Sequence, residues 1–394
     1  MTKIGTFDES DLNLFEGGPL HSLLVRARIA RPGSADVALK IAALFALTWI
    51  PLIVLAFIQG VAINPGLKMP LLHDFFLAIR FFVVGPLLIV AEAIVGPWLI
   101  HTVREFGDSL VPEAEIPKYR GFVARARRWR DSYLAEILLS VCALGAQFWR
   151  TTYSLSPAVG TWLTYVTAGT QEPSMASIWD FYVASPLIRF LWLRWMWKYL
   201  IWSLFLCRVA ALHLKLVPTH PDRAGGLGFV ASGHVKLAIL SVAFSAQVAS
   251  YIGEQILFLG LRLDSFRDEI VATAILNLLI FLTPLLAFSP KLIACKRDGL
   301  FEYTKLADRY VTDFHEKWIA GIGSQNEPLL GSPDVQSLAD VGSSFERVEK
   351  MKAILISRET ALTFLVASLV PFSPLLLSRY PIDKLLLHLF QTFL

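Results

Sequence analysis

A chain of 394 residues that is 55% hydrophobic and only 17% charged, with a mean hydropathy of +0.55, excludes an ordinary soluble domain, because no soluble fold of this size exposes so much apolar surface. The formal net charge of +4 raises the question of nucleic acid or acidic partners. In so apolar a chain the placement of Lys and Arg matters more than their sum, so the lipid bilayer is the expected partner and nucleic acid is not.

The fold expected is an all-α, polytopic transmembrane helical bundle of about seven spans. Residues 1–36 form a cytoplasmic N-terminal arm with no apolar core and small-residue cleavage site, so the first span reads as an uncleaved anchor. Within it, PLHSLLVRARIA at 19–30 suits either a helix lying flat on an anionic leaflet or a disordered basic arm. Spans are placed near 37–63, 75–101, 133–149, 187–212, 230–260, 270–293 and 361–378; the first two exceed the ~20 apolar residues a helix needs to cross hydrocarbon, and the third is the shortest. With the N-terminus inside, 25 of the 36 Lys and Arg fall on inner segments, which sets the orientation by the positive-inside rule. Residues 37–293 are thus a six-span bundle, 294–360 a cytoplasmic cap, and 361–394 a last span with a short amphipathic tail.

Several ionisable side chains lie within spans, where each costs about 2.5–3.5 kcal/mol on insertion scales and marks a bundle interior or a water-filled cavity. Arg80 and Glu92 lie in the second span and Glu136, Ser140 and Gln147 form a stripe on the third. The fourth carries Arg194, Lys198, Arg208 and Lys215 in one sector, interleaved with Trp192, Trp195, Trp197 and Trp202, which suits a cationic seam or snorkelling plus an outer aromatic belt. On the fifth, Lys236, Ala243, Gln247, Ser250 and Glu254 share a face, with the two charges ~27 Å apart along the axis. By depth, Glu254 pairs with Arg80 or Arg194 toward the outside, and Glu92 or Glu136 with Lys236 or Arg208 toward the inside. Two ionic layers follow, acting as exchanging gates or as glue between helices.

The outer segment 150–186, rich in Thr, Ser and aromatics, suits a lid, a re-entrant segment or a plain loop. Between spans four and five, VPTHPDRAGGLGFVASGH sets His220, Asp222, Arg223, Gly225, Gly226 and Gly228 close together. Free amides ahead of a helix there suit a small anion, and a tight turn with positive φ at the glycines is the alternative. Pro284 and Pro290 interrupt the sixth span and Pro371 and Pro374 the seventh, with a shared FSP that hints at a repeat. Leu300, Tyr303, Leu306, Tyr310, Phe314 and Trp318 predict an amphipathic helix continuing the sixth span, ended by Gly321 and Gly323, and Ser332 with Pro333 starts another.

The segments THPDRAGGLGF and LLGSPDVQSLADVGSSFERVEKM resemble a family of uncharacterised bacterial multi-span inner-membrane proteins over the second half of the chain. The resemblance implies a multi-pass protein of a bacterial inner membrane and transfers no activity. A transporter or channel for a small solute or ion is the expected function, with a homo-oligomer open; a scaffold or signalling subunit with structural ion pairs is the alternative. An enzyme is not expected, since HExxH, GxSxG, a Walker loop and CxxC are absent and His213, His220 and His234 lack ligand spacing. No cofactor or metal is expected, and Cys142, Cys207 and Cys295 read as packing residues.

Overall fold

The computed structural model describes residues 17–29, 36–153, 160–167, 170–321 and 331–378. Among these residues the architecture is all-α but for one small antiparallel hairpin, β1 (Thr164–Thr167) and β2 (Thr170–Pro173). Among them, too, five helices are long and apolar enough to cross a membrane: Val37–Ile58, Phe75–Leu110, Gly228–Ile256, Leu263–Ile319 and Arg358–Leu376. The other two expected spans fall short of that measure. Tyr133–Phe148 is a shorter apolar stretch, and the helix of the fourth span carries Arg189, Arg194 and Lys198.

In chain order, α1 is Pro19–Arg26, and α2 (Val37–Leu47) runs into α3 (Trp49–Ile58). Next, α4 (Phe75–Ile79), a π-turn (Arg80–Val84), α5 (Gly85–Glu105) and a second π-turn (Phe106–Leu110) form one continuous helix. The short basic α6 (Ile116–Arg130) connects it to α7 (Tyr133–Tyr153). After the hairpin come α8 (Met175–Trp179), a π-turn (Asp180–Ala184) and α9 (Ser185–Ala210), again unbroken, so the expected outer loop 150–186 gives way to helix from Met175 onward.

The two long helices are built alike at positions 100 residues apart. Asp74 and Ser174 each cap the start, accepting from Leu77 N and Ser177 N. Five helical residues, a π-turn and a proline follow in both, and Phe81, Val83, Pro86 and Leu87 are identical to Phe181, Val183, Pro186 and Leu187. Pro86 and Pro186 lack an N–H, and their rings crowd the carbonyls of Phe82 and Tyr182 four residues back. Widening the helix just upstream relieves the clash: Gly85 N–H donates to Arg80 O and Ser185 N–H to Asp180 O, five residues back. The helices lie parallel, since Arg80 meets Asp180, Leu88 meets Trp195, Trp98 meets Trp202 and Phe106 meets Phe205. Gly85 permits the approach, as a Cβ there would lie 2.7 Å from Leu44 and 3.1 Å from Ile188.

The second half supplies α10 (Gly228–His234), a 3-10 turn (Val235–Leu237), α11 (Ala238–Leu259), α12 (Arg267–Leu282) and a 3-10 turn (Thr283–Phe288). Then come α13 (Ser289–Phe314), α14 (Pro333–Glu349) and α15 (Arg358–Leu369), which ends in a 3-10 segment (Val370–Ser378). Around the predicted prolines the sixth and seventh spans thus tighten into 3-10 turns while the chain stays helical. Buried Asn277 donates to Ser245 Oγ (3.0 Å) and Ser368 Oγ (3.1 Å), and Ser241 and Ser368 share a hydrogen bond, stitching α11, α12 and α15 together inside an apolar bundle.

The sixth span continues into α13 as expected, and Gly321, at φ 71, follows its end. Ser332 caps α14 through Asp334 N, and α14 lies along α13. This cap is seated on the bundle: Gly299 packs against Pro218, Lys296 Nζ donates to Met351 O (2.9 Å), and Lys352 N donates to Arg223 O (2.7 Å). The tail at 379–394 and Gly323 lie outside the described residues.

Candidate functional site

Two ionic layers lie along the seam of the paired helices. In the first, Arg80 Nη2 donates to Asp180 Oδ1 (3.0 Å), both side chains about 5% exposed. Ser185 Oγ bonds the same carboxylate, and the guanidinium lies within 5.3 Å of the Phe76 and Phe81 rings. The π-turns place these charges, since Arg80 and Asp180 each open one.

The second layer lies 12 residues farther along α5, ~18 Å at helical rise. Glu92 accepts from Lys198 Nζ (2.7 Å), Arg194 Nη1 (2.9 Å) and Lys40 Nζ (3.4 Å). Arg194 also reaches Glu136 with Nε (3.3 Å) and Gly17 O with Nη2 (3.1 Å). Arg194 and Lys198 share one face of α9 because they are four residues apart. Four elements, α2, α5, α7 and α9, meet here.

The entry to α1 closes over this layer. Gly18 N donates to Asp131 Oδ1 (3.0 Å) and Leu20 N to Glu136 Oε2 (2.8 Å), so two carboxylates satisfy amides at the helix start. Gly17 and Gly18 have φ of 139 and 89, and a Cβ on Gly17 would lie 2.5 Å from Arg130 Cζ.

Of the sequence-predicted residues, Arg80, Glu92, Glu136, Arg194 and Lys198 join these layers, but their expected partners are replaced. Glu254 meets neither Arg80 nor Arg194, whose carboxylates are Asp180, Glu92 and Glu136. Glu92 and Glu136 pair with cations of α2 and α9, not with Lys236 or Arg208. Lys236 is exposed because the 3-10 turn Val235–Leu237 advances 120° per residue and turns it away from the stripe on α11. On that stripe Ala243 and Ser250 are buried and Gln247 and Glu254 half-buried. Buried Gln147 donates to Phe181 O in the second π-turn (3.1 Å).

The basic sector on the fourth span stops short. Helix α9 ends at Ala210, Lys215 is exposed, and Arg208 stacks on Trp129 at 5.1 Å. Of the four interleaved tryptophans, Trp195 and Trp202 are buried in the bundle, Trp195 donating to Leu88 O and Trp202 stacking on Phe205, while Trp192 and Trp197 are half-buried. Lys40 and Asp180 were missed. The match between 80–87 and 180–187 is the signal that could have found Asp180.

The glycine-rich loop is occupied by its own aspartate. Asp222 accepts from Ala224 N (2.8 Å), Gly226 N (3.2 Å) and Gly228 N (2.8 Å), and lies 2.8 Å from His220 Nδ1. Partial burial opposes its ionisation, and these bonds outweigh that, holding the carboxyl below its usual range. An outside anion therefore finds the amides of Gly226 and Gly228 taken. Gly225 and Gly226, at φ 65 and 98, make the tight turn, and Arg223 joins them at φ 55. Gly225 packs against Met351, so the loop also seats the cap.

Among the described residues no group of three His, Cys, Asp or Glu could hold a metal ion, and the three cysteines are free. Comparison of the chain with protein-family models, curated proteins and solved structures finds no match.

Proposed function

We propose that this chain is a seven-span transporter or channel for a small solute or ion, set in a bacterial inner membrane with its N-terminus in the cytoplasm. Helix α7 and the continuous helix α8–α9 serve as the two further spans. Neutralising partners make a charged α9 tolerable in hydrocarbon, because Lys198 and Arg194 face carboxylates. The positive-inside count and the resemblance of THPDRAGGLGF and LLGSPDVQSLADVGSSFERVEKM support orientation and location.

One observation carries the transport reading. Two parallel helices with matching π-turns meet along a seam that carries two ionic layers, and one carboxylate, Glu92, is shared by three cations. Internal repeats around buried charge are a way in which secondary transporters build a pathway, and a shared carboxylate can release one cation while keeping another. The scaffold reading has its own support, since Lys40, Arg80, Arg194 and Lys198 all have carboxylates within 3.4 Å and the cap is firmly seated.

Flux of anions, cations and protons through the full chain in liposomes separates them. Transport predicts flux that falls to the level of empty liposomes in Arg194→Gln and Glu92→Gln but persists in Lys236→Gln, whose side chain lies outside the seam. Absence of flux in the wild type, with lower thermal stability in the two seam variants alone, would favour the scaffold.

A further inference from the structure

Helices α6 and α7 follow one another along α9, both antiparallel to it. Tyr119 and Trp129 of α6 meet Phe205 and Trp197, and Glu136 and Gln147 of α7 then meet Arg194 and Phe181. The two make one rod whose outer side changes character at Asp131 and Ser132. Before that break the exposed face carries Lys118, Arg125 and Arg128, opposite the buried Ile116, Tyr119, Val123 and Ala126. After it every exposed residue from Tyr133 to Phe148 is uncharged, and Tyr133, Leu134, Ile137 and Leu138 are each more than half exposed. Arg128 and Tyr133 are five residues apart, ~8 Å at helical rise, so arginine gives way to bare apolar surface over the depth of a headgroup layer. Helix α1 starts at the same level, with Gly18 N on Asp131 and Leu20 N on Glu136, and it exposes Leu23 one turn from Arg26.

The basic side chains of α6 differ in what they meet. Lys118 pairs with Glu115 (3.7 Å) and Arg127 lies 4.0 Å from Asp131, while Arg125 and Arg128 meet no carboxylate among the described residues. We propose that the last two turns of α6 are a docking surface for the headgroups of anionic phospholipids, with the phosphate on Arg125 and Arg128 and the acyl chains along Tyr133, Leu134 and Ile137 of α7. Spaced three apart, the two arginines share one side of the helix, and the guanidinium fork matches a phosphate. The apolar surface next to them commits the site to a lipid, because a soluble phosphate would leave that surface uncovered. This inference rests on α7 as a membrane span and is independent of what the protein transports.

The test is thermal unfolding of the full chain in a nonionic detergent, titrated with phosphatidylglycerol against phosphatidylcholine of the same acyl chains. The midpoint rises saturably with phosphatidylglycerol and stays level with phosphatidylcholine, and the rise shrinks as sodium chloride is added. Arg125→Gln with Arg128→Gln raises the half-saturating phosphatidylglycerol concentration by roughly 25-fold, about fivefold for each basic side chain removed from an anionic surface. Arg125→Lys with Arg128→Lys, which keeps the charge, retains most of the response. Lys118→Gln, ~15 Å from Arg128 along the axis, leaves it unchanged.

Equal shifts with the two lipids, or a phosphatidylglycerol response that survives the double Gln change, overturn the proposal. So does an equal response to sodium phosphate, which makes the ligand a soluble anion. A response that emerges only when Asp8, Glu9 and Asp11, outside the described residues, are changed to Asn or Gln gives the face to the chain's own acidic segment and overturns it too. In liposomes, Leu138→Cys carrying a solvent-sensitive dye, in a variant without Cys142, Cys207 and Cys295, tests the span separately. An apolar signal without lipid selectivity removes this site and leaves α7 in the membrane; an aqueous signal removes both.

Discussion

Asp222 shows how one side chain can decide what a loop does. Its carboxylate holds three amides and seats the turn on which Met351 and Lys352 dock, so Asp222→Ala should destabilise the protein by about 1–3 kcal/mol, the effect of leaving such donors unmet. Its folded pKa lies below the unfolded value of about 4. The stability it contributes is therefore complete above pH ~4 and lost as pH falls through the lower folded value. Thermal midpoints between pH 6 and 2 should fall more steeply in the wild type than in Asp222→Asn. Gly233 makes a second prediction at this scale. A Cβ there would lie 1.4 Å from Trp98 Nε1, so Gly233→Ala forces the buried indole aside and should lower stability by about 1–3 kcal/mol in chemical or thermal unfolding. Neither effect is visible in a list of residue types, because it depends on which neighbour fills the adjacent space.

At the scale of elements, the paired π-turns are the main feature that pattern reading missed. The FSP shared by the sixth and seventh spans is contiguous and plain in the sequence, while the longer match of 80–87 with 180–187 is broken by differing residues and joins an apolar stretch to a polar, aromatic one. Its consequence is that Arg80 and Asp180 occupy equivalent positions on parallel helices and face one another. Breaking the pair from one side, as in Asp180→Asn, leaves a buried cation and should cost about 3–5 kcal/mol. The exchange Arg80→Asp with Asp180→Arg should recover much of that loss, because each turn then offers the same geometry to the opposite charge. Unfolding midpoints of the single and double variants check it, and a double variant no better than the worse single would mean that the two turns are not equivalent environments.

For the whole molecule, hydropathy and the distribution of basic residues point to a bundle with the cap on the N-terminal side. In a variant free of Cys142, Cys207 and Cys295, cysteines at Gly121 and Gly342, which lie exposed in α6 and α14, should react with an impermeant thiol reagent only from the cytoplasm. A cysteine at Lys68, exposed beside the hairpin, should react only from outside. Reaction of 68 and 342 from the same face would overturn the seven-span arrangement.

The all-α class, the apolar stretches, the start of α14 at Ser332 and Pro333, and the charges Arg80, Glu92, Glu136, Arg194 and Lys198 set among apolar residues are all legible in the amino-acid order. Those features are local or sum along one helix, so composition and spacing suffice to read them. Which charges meet, that Lys236 faces away, that Asp222 fills its own loop and that Gly17 O reaches Arg194 emerge only once the helices pack. Partner choice depends on the rotation and neighbour order of helices, and a single 3-10 or π-turn resets that rotation without leaving a mark in hydropathy.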